Sequence, residues 1–133
     1  MSFVLDCSLL STLFLPDEKS EKISRFIKEN SNFHVPSLFW FEINNVISVS
    51  VKRGRISHEN TEQLFSLLEK LPIKTHFELE HRNTLEISVT HNLSSYDSSY
   101  LSLAVELDAK LATLDRAMIL ASRKLGVDTV NFE

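Results

Sequence analysis

Short apolar runs at Phe3-Val4-Leu5, Phe33 to Val35, Ile73 to His76, Leu111 to Leu114 and Val127 to Phe132 alternate with stretches of helical spacing. This alternation constrains the fold more than any other feature. Strands separated by helices pair in parallel through crossovers, and the crossover helices must cover the sheet on both faces. Pro16-Asp17 opens a helix in which Ile23, Phe26 and Ile27 share a face. Ser37 is placed as the N-cap of a long helix reaching about Arg53, with Gly54 at its end. Ser57 caps the next, whose Leu64, Leu67, Leu68 and Leu71 form a stripe ended by Pro72. Spacing is looser over Glu78 to Asn92, at Leu85, Ile87 and Val89. Ser95 caps a helix carrying Tyr100, Leu101, Ala104, Val105 and Leu107, and Arg116 to Leu125 is a last helix closed by Gly126. The expected class is α/β: a three-layer α/β/α sandwich on a mainly parallel sheet of about five strands, as one domain over residues 1–133.

Composition narrows the function. At 133 residues with 43% apolar side chains, the chain can build a core without disulfides or metal staples. A single cysteine, Cys7, leaves no internal disulfide, so a reducing, cytoplasmic setting is expected. The opening MSFVLDCSLLSTLFLPDEKSEK carries Asp6 and no basic region, unlike a secretory signal. No apolar run approaches the ~20 residues of a membrane span, so no membrane association is expected. Only Gly54 and Gly126 occur, which removes glycine-rich phosphate loops. Acidic residues outnumber basic ones, 18 against 14, for a net charge of −4. A domain that grips nucleic acid by bulk positive charge is thereby excluded.

Individual carboxylates are more informative. Ligands of an open parallel sheet gather outside the carboxyl ends of its strands. Asp6 follows the first strand and Asp115 the fourth. Each also precedes a helical run and suits an N-cap, a role compatible with holding a ligand. Glu42 has Leu38, Phe39, Asn45 and Val46 as its helical neighbours, a mostly apolar surface. A carboxylate there needs a cationic partner, either a Lys or Arg on a facing helix or an ion. Asp97, in Ser94-Ser95-Tyr96-Asp97, suits the helix dipole and also the sheet edge of Asp6 and Asp115. Four convergent carboxylates would drive one another toward protonation, and a hard divalent cation removes that conflict. Oxygen ligands without a His or Cys cluster favour Mg²⁺ or Mn²⁺ over Zn²⁺.

The segments FVLDCS, PSLFWFEINNVI, LSSYDSSYLSLAVEL and LATLDRAM occur in this order, joined by KRGRIS and by Ser122-Arg123-Lys124-Leu125-Gly126-Val127. Together they resemble the PIN-domain ribonucleases and, among them, the VapC-type toxins of bacterial toxin–antitoxin pairs. The resemblance spans nearly the whole chain and implies a parallel-sheet α/β/α sandwich. It makes Asp6, Glu42, Asp97 and Asp115 the acidic catalytic and metal-binding set, and places Ser8 and Thr113 as small hydroxyl residues near metal and substrate. Cys7 stands where many relatives carry Ala or Thr, a departure outside the acidic set. The implied chemistry is hydrolysis of RNA phosphodiester bonds with one or two Mg²⁺ ions, Mn²⁺ being a substitute. Asp6, Asp97 and Asp115 are expected as direct or water-mediated ligands. Glu42 either binds a second ion or positions the attacking water. A cognate antitoxin protein and a homodimer are the implied partners.

Arg116, next to Asp115, is expected to bind substrate phosphate, although an exposed first-turn arginine is the plainer reading. Lys52, Arg53 and Arg55 suit a helix C-terminus and, without conflict, RNA phosphates. The five histidines show no metal-ligand spacing. The helix containing Phe39-Trp40-Phe41 is apolar around most of its circumference, so a second buried face is expected, a homodimer interface or antitoxin groove. Two other functions compete. A receiver-type phosphoacceptor would need a lysine after a late strand and would leave Glu42 unexplained; a PIN fold that only binds would not need the intact acidic set. A phosphatase of the haloacid-dehalogenase type would need an aspartate where Ser8 stands. Without the four proposed ligands, 14 acidic residues match 14 basic ones. The whole net charge then belongs to the metal site and is no bar to RNA.

Overall fold

A computed structural model describes residues 1–13 and 20–133. In chain order the elements are β1 (Phe3–Leu5), α1 (Cys7–Ser11), α2 (Ser20–Glu29), β2 (Phe33–Pro36), α3 (Leu38–Lys52), a 3-10 turn (His58–Asn60), α4 (Thr61–Lys70), β3 (Ile73–His76), α5 (His81–His91), α6 (Ser95–Leu107), β4 (Lys110–Ala112) and α7 (Arg116–Leu125). The expected helix opening at Pro16-Asp17 lies outside the described residues, and α2 buries Ile23 and Ile27 from Ser20 onward.

The strands form one parallel sheet in the order β3-β2-β1-β4. Phe3 pairs with Phe33 and Lys110, and Phe33 pairs in turn with Ile73. On one face α2 lays Phe26 edge-on against Phe3, with ring centroids 5.0 Å apart. Phe132 closes on the same ring at 5.4 Å. Such pairs add about 0.5–1.5 kcal/mol each beyond area burial. On the other face α6 crosses β1, β2 and β4, flanked by α5 and α7. Leu101, Leu103 and Ala104 of α6 are buried with Val4, Leu111 and Met118. The layering is the expected α/β/α sandwich. Because every strand runs the same way, all carboxyl ends open on one edge, where the site lies.

The sheet has four strands plus a single bridge, not five. Residues 127–132 touch β4 only at Leu111 and Thr129, through Leu111 N–H to the Asp128 carbonyl at 2.9 Å and Val130 N–H to Leu111 at 3.0 Å. β4 itself stops at Ala112 instead of Leu114. Its next amide groups go to side chains: Leu114 N–H to Ser8 Oγ at 3.2 Å and Asp115 N–H to Thr113 Oγ1 at 3.1 Å. A ladder cannot continue once its donors are taken.

Helix starts differ in detail from expectation. Ser94, not Ser95, caps α6, accepting from Asp97 N–H at 3.0 Å. Ser37 already has helical torsions and no side-chain cap bond, and Ser57 precedes the 3-10 turn without one. Leu68 of the α4 stripe is buried while Leu67 is exposed, and α5 buries Ile87 but leaves Leu85 and Val89 outside. Gly126 closes α7 at φ 74°, the left-handed turn that glycine adopts without strain.

β2 and β3 are joined by a histidine pair. Asn32 Oδ1 can only accept, so it takes the His34 Nε2–H at 2.9 Å. His34 Nδ1 is then the acceptor, and His76 Nε2–H donates to it across 2.8 Å. Burial holds both imidazoles below their ordinary pKa, and Lys74 pushes each further down; Glu106 opposes this at His76. The native state therefore keeps the pair neutral while the unfolded chain takes up protons near pH ~6.5. The sign follows: the contribution is intact above that pH and is lost as pH falls through it. His34→Gln is expected to flatten the fall in Tm between pH 7.5 and 5.5 relative to the parent protein, the carboxylates being common to both. An equal slope in the two proteins would show the pair to be without effect.

Candidate functional site

Asp6 leaves the end of β1 in extended conformation and is almost fully buried, at 6% exposure. Its Oδ2 accepts two hydroxyl hydrogen bonds, from Ser8 and from Thr113, each at 2.7 Å. The Cys7 backbone N–H adds a third. Burial raises the Asp6 pKa, and these donors pull against it. Ser8 and Thr113, expected near substrate, are thus bonded to the first carboxylate. Asp115 caps α7, its Oδ1 accepting from Met118 N–H at 3.0 Å. Among the described residues its Oδ2 takes no bond. The cap and the ligand readings of Asp115 are compatible, as expected. Asp6, by contrast, makes no side-chain cap bond to α1.

Glu42 projects from α3, and the Tyr100 hydroxyl on α6 donates to its Oε1. The sequence reading required a cation here; among the described residues no lysine or arginine supplies one. The ion pair present, Arg25 with Glu21 at 3.6 Å, lies on α2. Tyr100 went unrecognised as a site residue. Its signal was there: a tyrosine one turn beyond Asp97, on a helix buried all round, must find a partner for its hydroxyl.

The four carboxylates converge electrostatically. Burial, then the charges of Asp6 and Asp97, raise the Glu42 pKa against the Tyr100 hydrogen bond. Asp97 is raised by burial first and then by Asp115 and Asp6, with Ser94 opposing. Asp115 also acts on Asp6. These groups repel one another, and among the described residues no lysine or arginine pairs with any of them. Among the described residues no three His, Cys, Asp or Glu side chains stand close enough together to hold a metal ion as they are placed. Cys7 offers no thiolate, since burial and the charges of Asp6 and Glu42 push its pKa up to about 12. The donor set is oxygen only, and it fits a hard divalent cation.

Arg116 is exposed in the first turn of α7. With Arg123 it lines a recess of about 230 Å³ that begins at Thr113. Of Phe39-Trp40-Phe41, Phe39 is fully buried and Phe41 is exposed. Trp40 Nε1–H donates to Thr75 Oγ1 at 2.8 Å. Much of the apolar girth of α3 is therefore used within the chain.

The PIN domain family model matches residues 3–124. The chain belongs to the PIN-domain family. It is 26% identical over 122 residues to Ribonuclease VapC3 of Pyrobaculum aerophilum, covering 89% of this chain and 92% of that protein. The crystal structure of PAE2754 from the same organism superposes with TM-score 0.76 at 21% identity, over 98% of this chain and 91% of that one. A toxin–antitoxin complex from Klebsiella pneumoniae gives TM-score 0.71 at 14% identity, over 99% and 98%.

Mutual repulsion has a measurable consequence. Asp97→Asn removes one charge from the cluster and is expected to raise the metal-free Tm at pH 7.5. The gain corresponds to a few tenths to about 1 kcal/mol, the range for partly exposed charges. The same variant should lose most of the Tm increase that Mg²⁺ gives the parent protein. A lower Tm without metal would mean that the carboxylates do not repel.

Proposed function

We propose that this chain is a single-domain, Mg²⁺-dependent endoribonuclease and the toxin of a toxin–antitoxin pair. What supports the proposal is the mutual electrostatic repulsion of Asp6, Glu42, Asp97 and Asp115 beside the carboxyl edge of the sheet, with no basic side chain paired to them among the described residues. Asp6, Asp97 and Asp115 would hold the cation. When bound, Mg²⁺ or Mn²⁺ supplies Lewis-acid polarisation of a phosphodiester and lowers the pKa of coordinated water.

The protein's own contribution is placement. Ser8 and Thr113 fix the Asp6 carboxylate, and Ser94 steadies Asp97. Tyr100 holds one oxygen of Glu42, leaving the other to orient water or a second ion. A raised Glu42 pKa also makes it a better proton acceptor than an ordinary glutamate. RNA as substrate, and an antitoxin as protein partner, rest on kinship with a ribonuclease and on the fold shared with a toxin–antitoxin complex. A homodimer belongs to the same proposal, with the exposed Phe41 as its most apolar unpartnered anchor on α3. No described helix is long and apolar enough to cross a membrane. A cytoplasmic location is proposed with the antitoxin partner.

The test is direct. Purified protein is incubated with total RNA in Mg²⁺ or in EDTA, beside Asp6→Asn and Asp97→Asn variants shown to be folded by circular dichroism. Cleavage is expected only with Mg²⁺ and only from the parent protein. Full activity in EDTA, or in either folded variant, would overturn the assignment.

A further inference from the structure

α7 opens in a way that helix stability does not favour. Arg116 is its first residue, where the positive end of the helix dipole disfavours a cation. No carboxylate within 4.0 Å pairs with it among the described residues. Arg123 follows seven residues later, about two turns or ~10.5 Å along the axis and on nearly the same face. It is likewise without an ion pair among the described residues. Both line the recess of about 230 Å³, together with Thr113, Thr129, Asn131 and Glu133. Glu133, the one carboxylate there, pairs with neither arginine. Asn131 Oδ1 accepts from Glu133 N–H at 2.9 Å, which leaves the amide NH₂ as a donor without a partner among the described residues.

Two unpaired guanidinium groups and a spare amide donor thus share one recess. It starts at Thr113, the residue whose hydroxyl holds Asp6. Its far wall is formed by Thr129 to Glu133, in the segment that meets β4 at a single bridge. Guanidinium forks match phosphate oxygens, and an arginine kept at a helix N-terminus without a partner is suited to an anion from outside.

We propose that this recess is a subsite for the backbone of single-stranded RNA next to the scissile bond, with Arg116 and Arg123 on neighbouring phosphates. The proposal rests on the nuclease reading of the carboxylate cluster and adds the path by which substrate leaves it. The side chains lining the recess come from two short segments, which suits the flexible backbone of an unpaired strand better than the fixed phosphate spacing of an A-form duplex.

The experiment measures binding of a fluorescent, unstructured uridine-rich RNA to the full chain by anisotropy in EDTA, across a salt titration. Cleavage of the same RNA in Mg²⁺ is followed in parallel. Arg116→Ala/Arg123→Ala is expected to weaken binding about tenfold and to reduce the salt slope by about 1.4, for two phosphates on a single strand. Arg123→Gln alone, in the exposed last turn, should reduce it by about 0.7. Arg116→Lys/Arg123→Lys should keep the slope, and Arg25→Ala on α2 should change nothing. Unlabelled duplex RNA of the same sequence should compete poorly. Unchanged affinity and slope in the folded alanine and glutamine variants would overturn the subsite, as would equal competition by duplex. If the parent protein binds as described but never cleaves, the nuclease reading falls and with it the placement beside a scissile bond, while the recess stands as a single-stranded RNA-binding site. If the parent cleaves and the arginine variants bind like it, the subsite alone falls.

Discussion

Ser8 and Thr113 both donate to one oxygen of Asp6, and through that oxygen the ends of β1 and β4 are tied together. The bonds continue outward from there. Leu114 N–H binds Ser8 Oγ, Asp115 N–H binds Thr113 Oγ1, and Met118 N–H binds Asp115 Oδ1. A single chain of donors and acceptors runs from the first strand into the first turn of α7. It ends β4, aims Asp115 at the sheet edge and sets where Arg116 begins. Each link satisfies a backbone group that would otherwise be costly to leave unpaired at a crowded strand end. Site geometry and termination of secondary structure are therefore one network.

The same network holds charge where charge is unfavourable. Asp6 is almost fully buried; Glu42 is raised by burial and by the charges of Asp6 and Asp97, and Asp97 by burial and by those of Asp115 and Asp6. The cost is offset by the apolar packing around it, where Leu5, Leu9, Tyr100, Leu101, Leu111 and Met118 are all shielded from water. α6 carries much of this. It presents Ser98 and Ser102 as buried hydroxyls with no hydrogen-bond partner among the described residues, and it packs against α5. A site that repels itself when empty gains most from a bound cation, so metal affinity and metal-free stability oppose each other here.

Much of this was legible in the residues. The alternation of apolar runs and helical spacing carried the parallel sandwich, because strand and helix periods differ and each face must be covered. Asp6 and Asp115 were legible because a carboxylate directly after a strand has few other places to be. Glu42 was legible by its burial, but its partner was not. Periodicity gives faces and not distances, so the need for a counter-group pointed to a cation when the group present is a tyrosine hydroxyl. The fifth strand failed for a related reason. Val127 to Phe132 has the composition of a strand, yet it meets β4 only at the Leu111–Thr129 bridge, and β4 ends at Ala112, the amides of Leu114 and Asp115 beyond it going to Ser8 and Thr113. Capping serines miss by one residue since Ser94 and Ser95 have the same chemistry and only backbone torsion separates them. The recess between α7 and the C-terminal segment depends on that failed strand, and no local pattern announces it.

For the proposed RNA substrate, an acidic chain would need its charges sorted in space more than balanced in number. The 14 acidic residues outside the cluster match the 14 basic ones, so the net −4 equals the four convergent carboxylates. At about 0.1 M salt the Debye length is ~10 Å, so an incoming phosphate responds to the groups within that radius and not to the total. Near the carboxyl edge those groups are the cluster itself and, across Thr113, Arg116 and Arg123. Under the proposed function, the empty cluster at −4 would repel an RNA strand; two divalent ions would cancel that charge and one would halve it, leaving the arginines beside it more weight in the local sign. Cation binding would then govern substrate approach as well as chemistry. The placement of Arg116 at the least favourable end of α7 follows from the same economy, since that is the point on the helix nearest the cluster.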